Sequence, residues 1–133
     1  MKKFLVAAII AASMIIPTTN AEARVRTCGG YELPQQGPAL VECVFEFLGM
    51  ESQASYAQYV AERESHYHPD AYNPSGCGGV YQHMIRYWRG RALAYLPEWR
   101  FPNKETVHWS NGLANVWVTA RMVKDNGWGP WRL

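Results

Sequence analysis

Apolar residues recur at three- and four-residue spacing along much of this chain, the period of a helix with one buried face. Leu40, Val41, Val44, Phe45 and Leu48 make the first stripe, in a segment opened by Pro38 and closed by Gly49. Proline is tolerated in a first helical turn because the N–H it removes has no helical partner to lose. Ala57, Val60 and Ala61 make a second stripe, with Ser52 placed to cap a helix that runs to Ser65. Glu64 falls on the same face as those apolar residues, at the end of the stripe, while Glu62 and Arg63 are expected to point elsewhere. Residues 80–95 predict a third helix around Tyr81, Met84, Trp88 and Ala92. A fourth is expected from Ser110, as its cap, to Lys124, burying Leu113, Val116, Trp117, Ala120 and Val123. Lys124 suits the negative end of the helix dipole and Gly127 a helix stop. Pro69, Asn73-Pro74, Ser75-Gly76 and the stretch 97–103 interrupt the helices and mark turns. Residues 24–37 read as an extended arm, and no segment alternates long enough to predict a strand of real length. The expected fold class is mainly α, one compact domain whose body is residues 38–133.

The first residues have a different character. Lys2 and Lys3 precede the uncharged apolar run Phe4–Ile16, which Pro17 ends, and Ala21-Glu22-Ala23 offers small residues where a signal peptidase reads. The expectation is a signal peptide over residues 1–23, cut after Ala23, with Ala21 as the second choice. The run is shorter than the ~20 residues a membrane-spanning helix needs. Arg24 and Arg26 argue against a lipoprotein signal at Cys28. The chain is therefore expected to be secreted or held in the cell envelope, with no membrane span.

Export changes how the cysteines read, because disulfides persist outside the cytosol. Cys28, Cys43 and Cys77 are an odd set, so one thiol is left over or bridges to another molecule. All three pairings are open. A Cys43–Cys77 bridge is attractive because it would tie the first helix to the turn beyond Glu64. The formal net charge of +2 shows no concentration of basic residues of the kind a nucleic-acid binder carries. Six Trp and eight Tyr fit both a small core and a carbohydrate cleft, since large aromatics supply burial energy and stack on sugar rings, and most of them are assigned to the core.

The segment 64–82 holds most of the chemistry. It runs Glu64-Ser65, then Pro69, Ala71, Asn73-Pro74-Ser75-Gly76, Gly79 and Gln82. In this order and spacing it resembles the signature of the lysozyme-like lytic transglycosylases, the soluble lytic transglycosylase family. The likeness extends over residues 39–131. His83, Tyr87, Trp88 and Arg91 are similar to a pattern of the family's small secreted members. So is the ending Gly127-Trp128-Gly129-Pro130-Trp131, which is also similar to the close of resuscitation-promoting factors. The resemblance implies a lysozyme-like domain that cuts peptidoglycan glycan strands, with Glu64 as the single catalytic acid and Gln82 lining the cleft. The remaining candidate substrate-binding residues are Ser65, Tyr81 and Asn115. Ser65 is expected to bond backbone beside Glu64, Tyr81 to be a core residue or a sugar platform, and Asn115 to hold the loop that carries Glu64. The larger transglycosylases have a later Ala-Tyr-Asn-Ala-Gly segment that this chain lacks.

Cleavage of a glycosidic bond needs a proton for the leaving oxygen. A carboxyl group keeps that proton near neutral pH when an apolar setting penalises its charged form. Glycosidases of the two-acid kind need a second carboxylate, about 5 Å away for retention and about 6.5–9.5 Å for inversion. Asp70, Glu98, Glu105 and Asp125 are the candidates, and only Asp70 is near Glu64 in sequence. The one-acid route, in which the sugar's own 6-hydroxyl is the nucleophile, requires no water, metal or cofactor. Scattered histidines (His66, His68, His83) without an acidic fourth ligand do not make a metal site. The expectation is a monomeric transglycosylase acting on peptidoglycan. A lysozyme-type muramidase and a non-catalytic wall-glycan-binding module are the alternatives.

Overall fold

The computed structural model describes residues 27–132; the expected signal peptide and its cleavage point lie outside them. Among the described residues four α-helices carry the fold: α1 Gly37–Phe47, α2 Ala54–Ser65, α3 Ile85–Tyr95 and α4 Gly112–Asn126. Single turns of 3-10 helix lie at Glu51–Gln53, Lys104–Thr106 and Gly129–Trp131. Between α2 and α3 the chain makes a small antiparallel sheet, β1 Tyr72–Asn73, β2 Cys77–Gly78 and β3 His83–Met84, in the order β1-β2-β3. Tyr72 faces Gly78 across the first pair, and Gly78 faces His83 across the second. The domain is single and mainly helical, as the periodicity predicts.

α1 buries Leu40, Val41, Val44 and Phe45, the stripe read from the sequence. α2 buries Ala57, Val60 and Ala61 and packs on α1 through them. α4 departs from the expected single stripe. Every residue from Ala114 to Ala120 is buried, because α1 and α3 both pack on this helix and leave it no wet face. Each aliphatic side chain fully buried in this centre contributes ~1.5–3 kcal/mol. Trp117 meets Trp99 and Phe101 edge-on, and Phe45 stacks on Trp128 at 6.1 Å.

Three boundaries differ from the sequence reading. Asn111, not Ser110, caps α4, its side chain accepting from the Ala114 N–H at 3.0 Å, while the Ser110 hydroxyl bonds His108 Nδ1. Ser52 lies inside the 3-10 turn ahead of α2 and makes no cap bond. The third helix starts at Ile85 rather than near residue 80, because residues 77–84 are taken by the sheet and the loop within it. The disulfide joins Cys28 to Cys43, so the Cys43–Cys77 pairing is overturned and Cys77 is the free thiol. Cys28 is fully buried against α1 because the arm folds back onto that helix, and spacing along the chain carries no trace of this.

Candidate functional site

Glu64 is the penultimate residue of α2, and the way that helix ends sets its place. His66 and Tyr67 both take left-handed backbone, φ 51° and 63°, so the chain leaves the helix abruptly after Ser65. Left-handed backbone at non-glycine residues costs ~1–3 kcal/mol and persists only where neighbours enforce it. Tyr67 is held by its hydroxyl, which donates to the Gln58 carbonyl at 2.9 Å, and by its ring, which occupies the space a side chain at Gly37 would need. Ser65 is buried and donates to the Val80 carbonyl at 2.7 Å, clamping the helix end to the loop between β2 and β3.

That loop is fixed from the core side. Tyr81 is fully buried and its hydroxyl donates to the Ala57 carbonyl at 2.8 Å. Its backbone N–H donates to Asn115 Oδ1 at 2.9 Å, and Asn115 Nδ2 donates to the Trp109 carbonyl at 3.1 Å. Gly79, at φ 86°, lies so close to the Asn115 amide that any Cβ there would collide with it. Trp131 Nε1 donates to the Tyr81 carbonyl at 2.8 Å. Three of the candidate substrate contacts thus have their polar groups engaged inside the protein, Ser65 on backbone as expected. Tyr81 is a core residue with no ring face open to a sugar. Ser65 and Asn115 spend their polar groups on backbone, and Asn115 holds the loop that carries Gln82 rather than the one after Glu64.

Gln82 itself has left-handed backbone, φ 52°. Its Nε2 donates to the carbonyls of Ala71 and Gly79 at 3.1 and 3.0 Å, which fixes the amide orientation because both partners are acceptors. The amide oxygen is then the atom left for a ligand.

Glu64 and Gln82 share one groove of about 450 Å³, lined also by Asn73, Cys77, Met84, Arg91, Pro130 and Trp131. A volume of this order suits a small-molecule cleft. Glu64 is the sole carboxylate among the described residues that line it; Asp70 is exposed outside the groove, and Glu98, Glu105 and Asp125 do not line it either. The Glu64 side chain keeps 26% of its surface open, so it is half-buried rather than dry.

Arg63 is the main surprise. The sequence reading points it away, yet its Nη2 donates to Glu64 Oε1 at 2.9 Å and also to the Trp131 carbonyl. The hydrogen bond to Glu64 is the chief reason the guanidinium holds its proton more tightly than an ordinary arginine. A helical wheel fixes only the Cβ direction, and the long arginine stem carries the charge around to the next residue.

Arg91, from α3, is the second arginine of the site. Its Nη1 donates to His83 Nδ1 at 2.9 Å, and its Cζ lies 5.5 Å from the centre of the Tyr87 ring. His83 is buried, with Nε2 2.7 Å from Thr119 Oγ1. The Thr119 hydroxyl already donates to the Asn115 carbonyl at 2.8 Å, so His83 Nε2 carries the hydrogen and Nδ1 is the acceptor. Burial, aided by the Arg91 charge, pushes the His83 imidazole down to about 3, and it is neutral. The motif position of Arg91 was visible in the sequence, but its place in the groove was not. Cys77 and Asn73 line the groove from β2 and β1. His66 lies on the surface, bonded to Glu62, and His68 is exposed. No family model matches this chain, and no curated protein or solved structure does so either.

Proposed function

We propose that this protein is an exported peptidoglycan lytic transglycosylase that cuts the β-1,4 bond between N-acetylmuramic acid and N-acetylglucosamine, leaving a 1,6-anhydro end. The observation that carries the reading is Glu64, half-buried and alone as a carboxylate among the groove-lining residues, with Gln82 beside it in the motif spacing. A two-acid hydrolase would place a second carboxylate in the same groove. The disulfide Cys28–Cys43 suits an oxidising compartment, and no helix of the described residues is long and apolar enough to cross a membrane.

In this reading Glu64 protonates the bond oxygen as the bond to the anomeric carbon breaks. The resulting carboxylate then takes the proton of the muramic 6-hydroxyl as that oxygen closes on the anomeric carbon. Glu64 ends protonated and no water is consumed. In this reading Arg63, donating to Oε1, stabilises the carboxylate formed midway and leaves Oε2 to exchange the proton. The Gln82 amide oxygen is free to accept the N–H of a sugar N-acetyl group. The test is incubation with peptidoglycan sacculi and mass spectrometry of the released fragments. Anhydro-muramic ends are expected from wild type and none from Glu64→Gln with a native fold. Reducing ends in their place would identify a muramidase, and binding of sacculi without cleavage by either protein would identify a binding module.

A further inference from the structure

The proposed chemistry uses Glu64, Arg63 and Gln82 but gives Arg91 nothing to do. Its setting is unusual. Among the described residues no carboxylate bonds it, and the three ion pairs found elsewhere in the domain do not include it. Its hydrogen-bond partner is the neutral His83, which accepts through Nδ1 and offers no charge in return. The titratable neighbours it feels are the phenols of Tyr87 and Tyr95 and the Cys77 thiol. Partial burial lowers its hold on the proton, yet an arginine stays charged in any such setting.

A guanidinium half removed from water, with no counter-ion, is costly unless a ligand supplies the opposite charge. The same residue is pre-organised. His83 fixes one edge of the fork, the Tyr87 ring lies against it at 5.5 Å, and His83 is locked in turn by Thr119. The donors not turned to His83 remain for a planar, two-oxygen acceptor, the geometry an arginine fork matches best.

We propose that Arg91 reads a carboxylate on the glycan bound in this groove, and so separates strands that contain muramic acid from neutral polymers of N-acetylglucosamine. The inference rests on the glycan-cleaving reading above and deepens it. Muramic acid bears a lactyl ether. Its carboxylate is free where the peptide stem has been removed and is an amide where the stem is present, in which case the stem supplies carboxylates of its own.

Binding is measured in the Glu64→Gln background, to prevent turnover, with three probes of equal length: chitin oligomers, stem-free peptidoglycan oligomers and stem-bearing ones. At low salt at least one acidic probe is expected to bind about tenfold or more tightly than chitin, the usual worth of one charge-assisted hydrogen-bonded pair. The advantage should shrink as salt is raised. Arg91→Gln should erase that preference of acidic over neutral probes, and Arg91→Lys should keep part of it. A loss confined to the stem-free probe assigns the lactyl carboxylate, and one confined to the stem-bearing probe assigns the stem. Equal affinity for acidic and neutral probes at low salt, a comparison that leaves position 91 untouched, overturns the inference alone. So does an acidic preference that survives Arg91→Gln. Failure to bind any of the three probes defeats the glycan reading and this inference together.

Discussion

His83 makes the stability of this domain depend on pH in a way that can be worked out in advance. Burial and the neighbouring Arg91 charge push its imidazole from the ordinary 6.5 down to about 3. Below pH 6.5 the unfolded chain takes up a proton at this position and the native state does not, so stability is lost as the pH falls. The loss starts near pH 6.5 and continues until the native imidazole itself titrates, near pH 3. At pH 5 the linkage amounts to about 2 kcal/mol relative to pH 8, nearly independent of how far below 5 the native value lies. In urea this is a midpoint shift of roughly 1–2 M, for a denaturant slope of about 1–1.5 kcal/mol per molar. The exposed histidines and the carboxylates also titrate, so the informative quantity is a difference. Urea unfolding of wild type and His83→Gln is followed from pH 8 to pH 5. Glutamine can still bond Thr119 and Arg91 but cannot titrate. The wild type should lose about 2 kcal/mol more than the variant over that interval. Parallel curves for the two proteins would refute the argument. It would also fall if nitrogen NMR found the hydrogen of neutral His83 on Nδ1, where the structure requires a lone pair facing Arg91.

Two further substitutions test the frame behind the groove. Asn115→Ala leaves the buried Tyr81 N–H without its acceptor and the Trp109 carbonyl without its donor, and should cost about 2–4 kcal/mol by chemical denaturation; a cost below about 1 kcal/mol would mean the loop is held by other means. Replacing both Cys28 and Cys43 by alanine opens a bridge across a sequence separation of 15 and should remove about 3 kcal/mol, a fall of roughly 10–20 °C in Tm by calorimetry. Neither cysteine lines the groove, so an unchanged Tm would refute a stabilising role for the bridge.

The helices were legible because burial on one face repeats with the helical period. Leu40, Val41, Val44, Phe45, Ala57, Val60 and Ala61 are all buried where the stripes place them. The same logic fails where no period exists. Strands of two residues leave no alternation to read, so Tyr72–Asn73 and Cys77–Gly78 read as turn and His83–Met84 merged into the expected third helix. Tyr81 carried the same ambiguity. A tyrosine between a glycine turn and a glutamine reads equally as core or platform, and only the three-dimensional position of the Ala57 carbonyl decides it. The disulfide depends on the arm folding back over α1, a long-range event without a local signal. The contact of Arg63 with Glu64 and the place of Arg91 in the groove escape the sequence for a different reason. Pattern reading assigns directions to Cα–Cβ bonds, while the charge of an arginine sits at the far end of a flexible stem.

The polar residues of and around the groove therefore divide by what their side chains are bonded to. Ser65, Asn115 and the Tyr81 hydroxyl are satisfied by backbone and hold the end of α2 against the β2–β3 loop. Gln82 is divided within itself, its nitrogen bonded to two carbonyls and its oxygen left over. Buried polar groups that are fully satisfied rigidify a structure, and they have nothing left to offer a ligand. What remains for chemistry is the set whose capacity is incomplete: one carboxylate with an arginine on one oxygen, one amide oxygen and one guanidinium whose bonded partner among the described residues is neutral. In a groove built this way, substitutions at Ser65 or Asn115 should move stability first and ligand affinity as a consequence. On the proposed function, substitutions at Glu64 or Arg91 should move turnover or affinity with the frame intact. That separation distinguishes a working site from a cluster of residues that merely share a surface.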